Sequence, residues 1–190
     1  MTLEQAFGLF RWQPAEGAGG ALNQREYVVD VSQTIKYGDV VLLSTNKVQE
    51  ALALPGSNNS ATISGGNLAS LGIALADITT NSAGVEAVTG RMAIPVGIWD
   101  ANLDVILGVY NGTPANAIPS NVAFGTRYNL ARVRGASASS WGYMLAYGST
   151  TNGELVVQQT SGQTAASEIY GLVIARYLAS TAATDAVRQV

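Results

Sequence analysis

The 190-residue chain contains neither cysteine nor histidine. That excludes a disulfide framework, thiol chemistry, Cys/His zinc sites and any mechanism built on a histidine base. Charge is also scarce: Asp, Glu, Lys and Arg make up 12%, about half the usual ~25%. The hydrophobic share, 47%, is ordinary, so Gly, Ser, Thr, Asn and Gln have replaced the missing charge. Such a composition argues against disorder, which pairs low hydrophobicity with high net charge. The net charge is −3 and the pI near 4.8, so no basic surface for nucleic acid is expected. No apolar run approaches the ~20 residues of a membrane span. Met1–Gln5 lacks the basic and continuously apolar regions of a signal peptide, so no leader is expected there. The chain is long enough for one domain, or two small ones sharing a core.

What is present reads mostly as β. In residues 1–26, Leu3, Ala6, Phe7 and Phe10 follow i, i+3, i+4, i+7 spacing, as in one short amphipathic helix. The Gly-rich stretch 14–20 behind it is a joint. Two readings follow: a helix capping the chain's own core, or an arm carrying Phe7, Phe10 and Trp12 to a neighbouring subunit. Strands are expected over Tyr27–Val31, Val40–Leu43, Lys47–Leu52 across the Ser44–Asn46 turn, and Leu71–Leu75. Residues 53–70 read as an exposed excursion. Pro95 cannot donate to a ladder, which implies a strand edge, bulge or crossover, and a subdomain boundary is placed there. Leu103, Val105, Leu107 and Val109 share one face by period two, and Trp141, Tyr143, Leu145 and Tyr147 alternate likewise. Residues 148–153 are expected to join Trp141–Tyr147 to Glu154–Gln159 as a hairpin. The last strand is expected over Glu168–Leu178, with Ile169, Leu172 and Ile174 inside, and 179–190 reads as a tail. About ten short strands divided by turns make an all-β barrel or sandwich, divided as 1–26, 27–95, 96–178 and 179–190.

Chemistry is sparse. Asp100 and Asp104 form the one carboxylate pair worth testing for glycoside hydrolysis or Ca²⁺ binding, but the glycine and distant glutamate of a calcium loop are missing. A serine nucleophile would need a lysine or carboxylate base. The two lysines, Lys36 and Lys47, lie in turn sequence, and no Ser-x-x-Lys occurs. Gly65-Gly66 does not open a helix, so no phosphate cradle is readable. Arg132, Arg134 and Tyr128 share a strand face by parity, read as solvated and interface-facing. Trp12, Trp99, Trp141 and the eight tyrosines could stack on sugars, although packing accounts for such residues more often. No catalytic, cofactor or metal site is expected.

Several short segments resemble one family in their order. These are Ile35-Lys36-Tyr37-Gly38-Asp39-Val40-Val41, then Leu71-Gly72-Ile73-Ala74-Leu75, then the Ser82-Ala83-Gly84 turn. Downstream come Ile94-Pro95-Val96, Val109-Tyr110-Asn111-Gly112-Thr113 and Val122–Tyr128. Together they are similar to head decoration (cement) proteins of tailed bacteriophages, across about residues 27–178. The resemblance implies a β-tulip-like first half, here with a second β subdomain and an N-terminal arm. It also implies a non-enzymatic protein on the outer capsid surface of a virion, made in the bacterial host cytoplasm. Its partners would be the major capsid protein and further copies of itself, a homotrimer favoured over a homodimer, with no nucleic acid, membrane or cofactor. Phe7, Phe10 and Trp12 are the expected capsid or subunit contacts. The alternative is a carbohydrate-binding module on a virion or cell surface.

Overall fold

The computed structural model describes residues 1–14, 23–51, 60–62, 70–98, 103–135, 140–148, 150 and 153–177. It is an all-β protein with one short helix, α1 (Leu3–Phe7). The strands in chain order are β1 (Arg11–Pro14), β2 (Gln24–Val28), β3 (Thr34–Ile35), β4 (Val40–Ser44), β5 (Lys47–Glu50), β6 (Ser60–Thr62) and β7 (Ser70–Ala74). There follow β8 (Ile78–Thr79), β9 (Ala93–Ile98), β10 (Leu103–Tyr110), β11 (Arg127–Arg134), β12 (Trp141–Ala146), β13 (Leu155–Thr160) and β14 (Leu172–Tyr177).

Two sheets dominate. In the larger, hydrogen bonding runs in a closed circuit, β10–β12–β11–β13–β14 and back to β10. A closed circuit leaves those five strands few open edges. β10 and β12 are parallel and the other pairs antiparallel. Alternate residues, among them Val105, Leu107, Val109, Leu130, Tyr143, Leu145, Val173 and Ala175, meet in one buried cluster. The β10 face expected from period two is therefore a core face. The smaller sheet has the order β2–β9–β7–β4–β5, and a bridge between Val29 and Val48 draws its ends together around Val41, Ile78, Ile94 and Val96. The β4–β5 hairpin forms where expected. Thr45 and Asn46 adopt φ of 50° and 63°, the left-handed pair that a tight two-residue hairpin requires.

The sequence does not divide where expected. Pro95 lies within β9, a strand flanked by β2 and β7, and its carbonyl accepts from Leu75 N–H at 2.9 Å. The proline is tolerated because β7 ends opposite it, and the expected boundary at 95 cuts a continuous strand. The chain also crosses between sheets: β1 pairs with β10 and β6 with β11, while the strands between them belong to the smaller sheet. The part of the expected 53–70 excursion that is described thus contains a paired strand.

The expected β12–β13 hairpin is absent. β11 lies between those strands, pairing with β12 along Asn129–Arg134 and with β13 at Arg127 and Tyr128. Gly153, just before β13, lies against the start of β11, where an added Cβ would lie 2.6 Å from the backbone nitrogen of Tyr128. In β14 the inward residues are Val173, Ala175 and Tyr177. Leu172 is buried on the opposite face, Ile174 is half-buried and Ile169 is exposed.

Residues 1–14 are an integral edge of the larger sheet, not a free arm. Thr2 caps α1, accepting from Gln5 N–H while the Gln5 side chain accepts from Thr2 N–H at 2.8 Å. The helix stops at Gly8, a turn earlier than the apolar spacing predicts. Ala6 is fully buried against Ala131, Val133, Met144 and Ala146, the outer face of β11 and β12. Phe7 fills the space over Gly142, where a Cβ would come within 2.6 Å of the ring. Apolar residues on both faces of β11 and β12 explain the docking, since the outer face needs a cover.

Candidate functional site

The larger and smaller bodies meet at a buried charged cluster. Arg132 lies on β11 in the same parity as Tyr128 and Leu130, so it faces the interior and is 2% exposed. The expectation of a solvated arginine face is thereby overturned at this residue. The reason is the counter-charge that the smaller body brings. Asp39, at the entry to β4, places Oδ1 3.6 Å from Arg132 Nη2, and Glu50, ending β5, accepts a hydrogen bond from Arg132 Nη1.

Aromatic residues line the other side. The guanidinium carbon lies 3.7 Å from the ring centre of Trp141 and 5.8 Å from that of Tyr143, cation–π distances that favour a desolvated arginine. The two rings meet edge to face at 5.7 Å. The Tyr143 hydroxyl accepts from Val40 N–H at 3.0 Å, tying β12 to β4. Val40 and Ile73 of the smaller sheet join the core of the larger one at the same seam.

The three charges are unequally treated. Glu50 keeps 21% of its side chain in contact with solvent, and Asp39 only 1%. Asp39 Oδ2 accepts from Lys36 N–H at 2.8 Å, but Oδ1 has no hydrogen-bond donor among the described residues. Burial pushes the Asp39 carboxyl up to about 6. The Lys36 N–H and the Arg132 charge oppose that rise, and the negative charges of Glu50 and Asp77 add to it. Burial also raises Tyr143, so its hydroxyl remains protonated. The cluster contains no nucleophile–base pair with access to solvent. It joins the two bodies.

The other sequence-predicted residues do not converge on this seam as a site. Phe10 packs on Tyr143 in a tilted arrangement at a centroid distance of 5.6 Å, and Trp12 packs against the same core from β1. Phe7 covers Gly142, so all three expected contact residues are engaged by the chain's own sheet. Asp104 is buried and receives Arg176 Nε at 2.9 Å from the facing position of β14. Asp100 and Trp99, like Gly65-Gly66 and 179–190, lie outside the described residues. Lys36 pairs with Asp77 at 3.2 Å, and Lys47 lies 3.7 Å from Asp30. Arg127 donates to the Gly153 carbonyl at 3.3 Å. Among the described residues no three acidic side chains gather as a metal would require.

Two surface features complete the picture. An open groove of about 650 Å³ lies between α1 and residues 163–168, with Gln5, Leu9, Gln163 and Glu168 in its walls. Val28, Val31, Val88 and Met92 are among the large exposed hydrophobics. Val29 N–H bonds the Met92 carbonyl at 2.8 Å, and Ser32 N–H bonds the Asn81 carbonyl at 2.9 Å. These bonds hold the strand and the 81–92 loop together.

Asp39 and Glu50 were missed as partners of Arg132 because they read as a turn residue and a strand end. The available signal was an arginine in the inward parity of an otherwise apolar strand. Set against known proteins, the chain matches no family model, no curated protein and no solved structure.

Proposed function

We propose that this protein is a capsid decoration (cement) protein that binds the outer surface of a tailed-phage major capsid protein lattice and stabilises the head. The observation that carries the reading is the order of short segments from Ile35 to Tyr128 that resembles that family. Exposed apolar residues of the smaller body support it. Val88 is 92% exposed and Met92 49%, in a chain with only 23 charged residues, 10 basic and 13 acidic. A contact made there is apolar and hydrogen-bonded, and it survives salt that would screen a charge-driven one. Self-association, with a homotrimer favoured over a homodimer, belongs to the same reading. The sugar-binding alternative draws less support, because Trp12 and Trp141 pack against the core instead of standing as platforms.

A decoration protein binds only the assembled lattice and so stabilises it by mass action. Virions stripped of the protein should rupture on heating earlier than virions to which it is restored, at low and at high ionic strength alike. The paired substitution Val88→Glu and Met92→Glu should abolish that protection and leave the protein's own melting temperature nearly unchanged. If restored wild-type protein leaves rupture unchanged, the cementing role is wrong. If the paired variant protects as well as wild type, the role stands and the apolar contact lies elsewhere.

A further inference from the structure

The seam between the two bodies holds one guanidinium and two carboxylates, a net negative charge in a nearly dry site. Asp39 and Arg132 are almost fully buried, and only Glu50 reaches solvent. The guanidinium donates directly to Glu50, while Asp39 Oδ1 sits 3.6 Å from Nη2 and has no donor among the described residues. A buried carboxylate oxygen without a donor is the weak member of such a set. The geometry points to this cluster as a proton-operated latch: one proton taken up by Asp39 leaves a neutral Arg132–Glu50 pair and tightens the joint between the bodies.

Every charged or titratable group facing Asp39 fits this account. Lys36 offers its backbone N–H, while its ammonium is turned to Asp77 in solvent. Asp77, from the segment after β7, adds a second negative field, and Glu50 a third from β5. Arg132 on β11 supplies the one cation, and Tyr143 on β12 stays neutral. The carboxyl's rise from 3.8 to about 6 sets the working range. An acid whose folded-state value lies above its unfolded value penalises the fold when ionised. That penalty is complete above about pH 6, fades as pH falls toward 3.8 and is absent below. Stability therefore increases on mild acidification, opposite to the usual acid response. The inference does not rest on the capsid reading.

The test is thermal unfolding of wild type, Asp39→Asn and Glu50→Gln at constant ionic strength. Between pH 7.5 and 5.0 the wild-type melting temperature should rise by roughly 3–5 °C. Asp39→Asn, a neutral isostere, should melt at pH 7.5 near the wild-type pH 5.0 value and lose most of the slope. Glu50→Gln removes one negative field and should move the wild-type rise to lower pH. Should Asp39→Asn fail to fold, carboxyl ¹³C titration of wild type and Glu50→Gln decides. One aspartate should titrate near pH 6 in the first and lower in the second. Amide exchange localises the effect: protection at Val40–Leu43 and Leu130–Val133 should rise more on acidification than protection at Val173–Tyr177. A wild-type melting temperature flat or falling from pH 7.5 to 5.0 would overturn the latch. So would an undiminished slope in Asp39→Asn, no aspartate titrating above pH 5, or a uniform rise in protection.

Discussion

Two arginines organise charge in this molecule, one at the seam and one on the surface of the smaller body. At Arg91, Nε donates to Glu86 at 2.9 Å, and Nη2 donates to the Asp77 carbonyl at 2.7 Å and to Glu86 at 3.3 Å. Arg132 donates to Glu50 and lies 3.6 Å from Asp39. Yet the acidic neighbours respond in opposite directions. Hydrogen bonds from Arg91 and Thr89 hold Glu86 below the usual carboxylate range, whereas burial carries Asp39 above it. On the surface, water already solvates every partner and the bonds favour the ionised form at little desolvation cost. At the seam, desolvation outweighs the one available cation. An arginine beside a carboxylate therefore does not fix the direction of the shift, and the surrounding medium decides.

Removing the buried cation is the strongest way to test that contrast. Arg132→Met leaves Asp39 and Glu50 facing each other without compensation and strips the cation from Trp141. A loss of about 3–5 kcal/mol is expected, measured by urea unfolding at pH 7. Adding Asp39→Asn and Glu50→Gln to that variant should recover most of the loss, because a fully neutral seam has no unpaired charge. A triple variant no more stable than the single one would show that shape, not charge, is what Arg132 contributes. Tyr143→Phe is the next largest. It deletes the acceptor of the buried Val40 N–H and should cost about 1–3 kcal/mol, with no change in the slope of melting temperature against pH. A slope that disappears with the hydroxyl would place Tyr143 inside the titrating unit.

Much of the fold was legible, because period two reports which residues share a face. Val105, Leu107 and Val109 are inside, the β4–β5 hairpin turns at Thr45-Asn46, and β10, β11, β12 and β14 occur near their expected places. Alternation does not report which strand is the neighbour. Trp141–Tyr147 and Glu154–Gln159 look like a hairpin, but the connection between them is long enough to pass over β11, so nothing local forces them together. Pairing of β1 with β10, and of β6 with β11, is invisible for the same reason, since the contacts join residues far apart in the chain. Arg132 carries an inward parity that can be read directly. Its two carboxylates come from another sheet, so only the assembled structure turns a surface reading into a buried cluster.

The smallest effect completes the contrast. Arg91→Ala removes several hydrogen bonds, including both contacts to Glu86 and the one to the Asp77 carbonyl. All of them lie where water can replace the guanidinium, and Arg91 itself is exposed. The melting temperature at pH 7 should fall by no more than ~2 °C, and the difference should shrink further in 0.5 M salt, since about 4 Å of Debye length remains there. As pH falls from 4.5 through the lowered folded-state value of Glu86, the variant and wild type should converge, because the stability that Arg91 gives the ionised carboxylate is lost as protonation proceeds. The Arg132 seam should do the reverse, gaining from protons between pH 6 and 3.8 and responding little to salt. If Arg91→Ala instead destabilises as strongly as Arg132→Met, and salt leaves that difference intact, burial is not what separates the two arginines. The 86–91 loop would then have to be a structural brace of the smaller body.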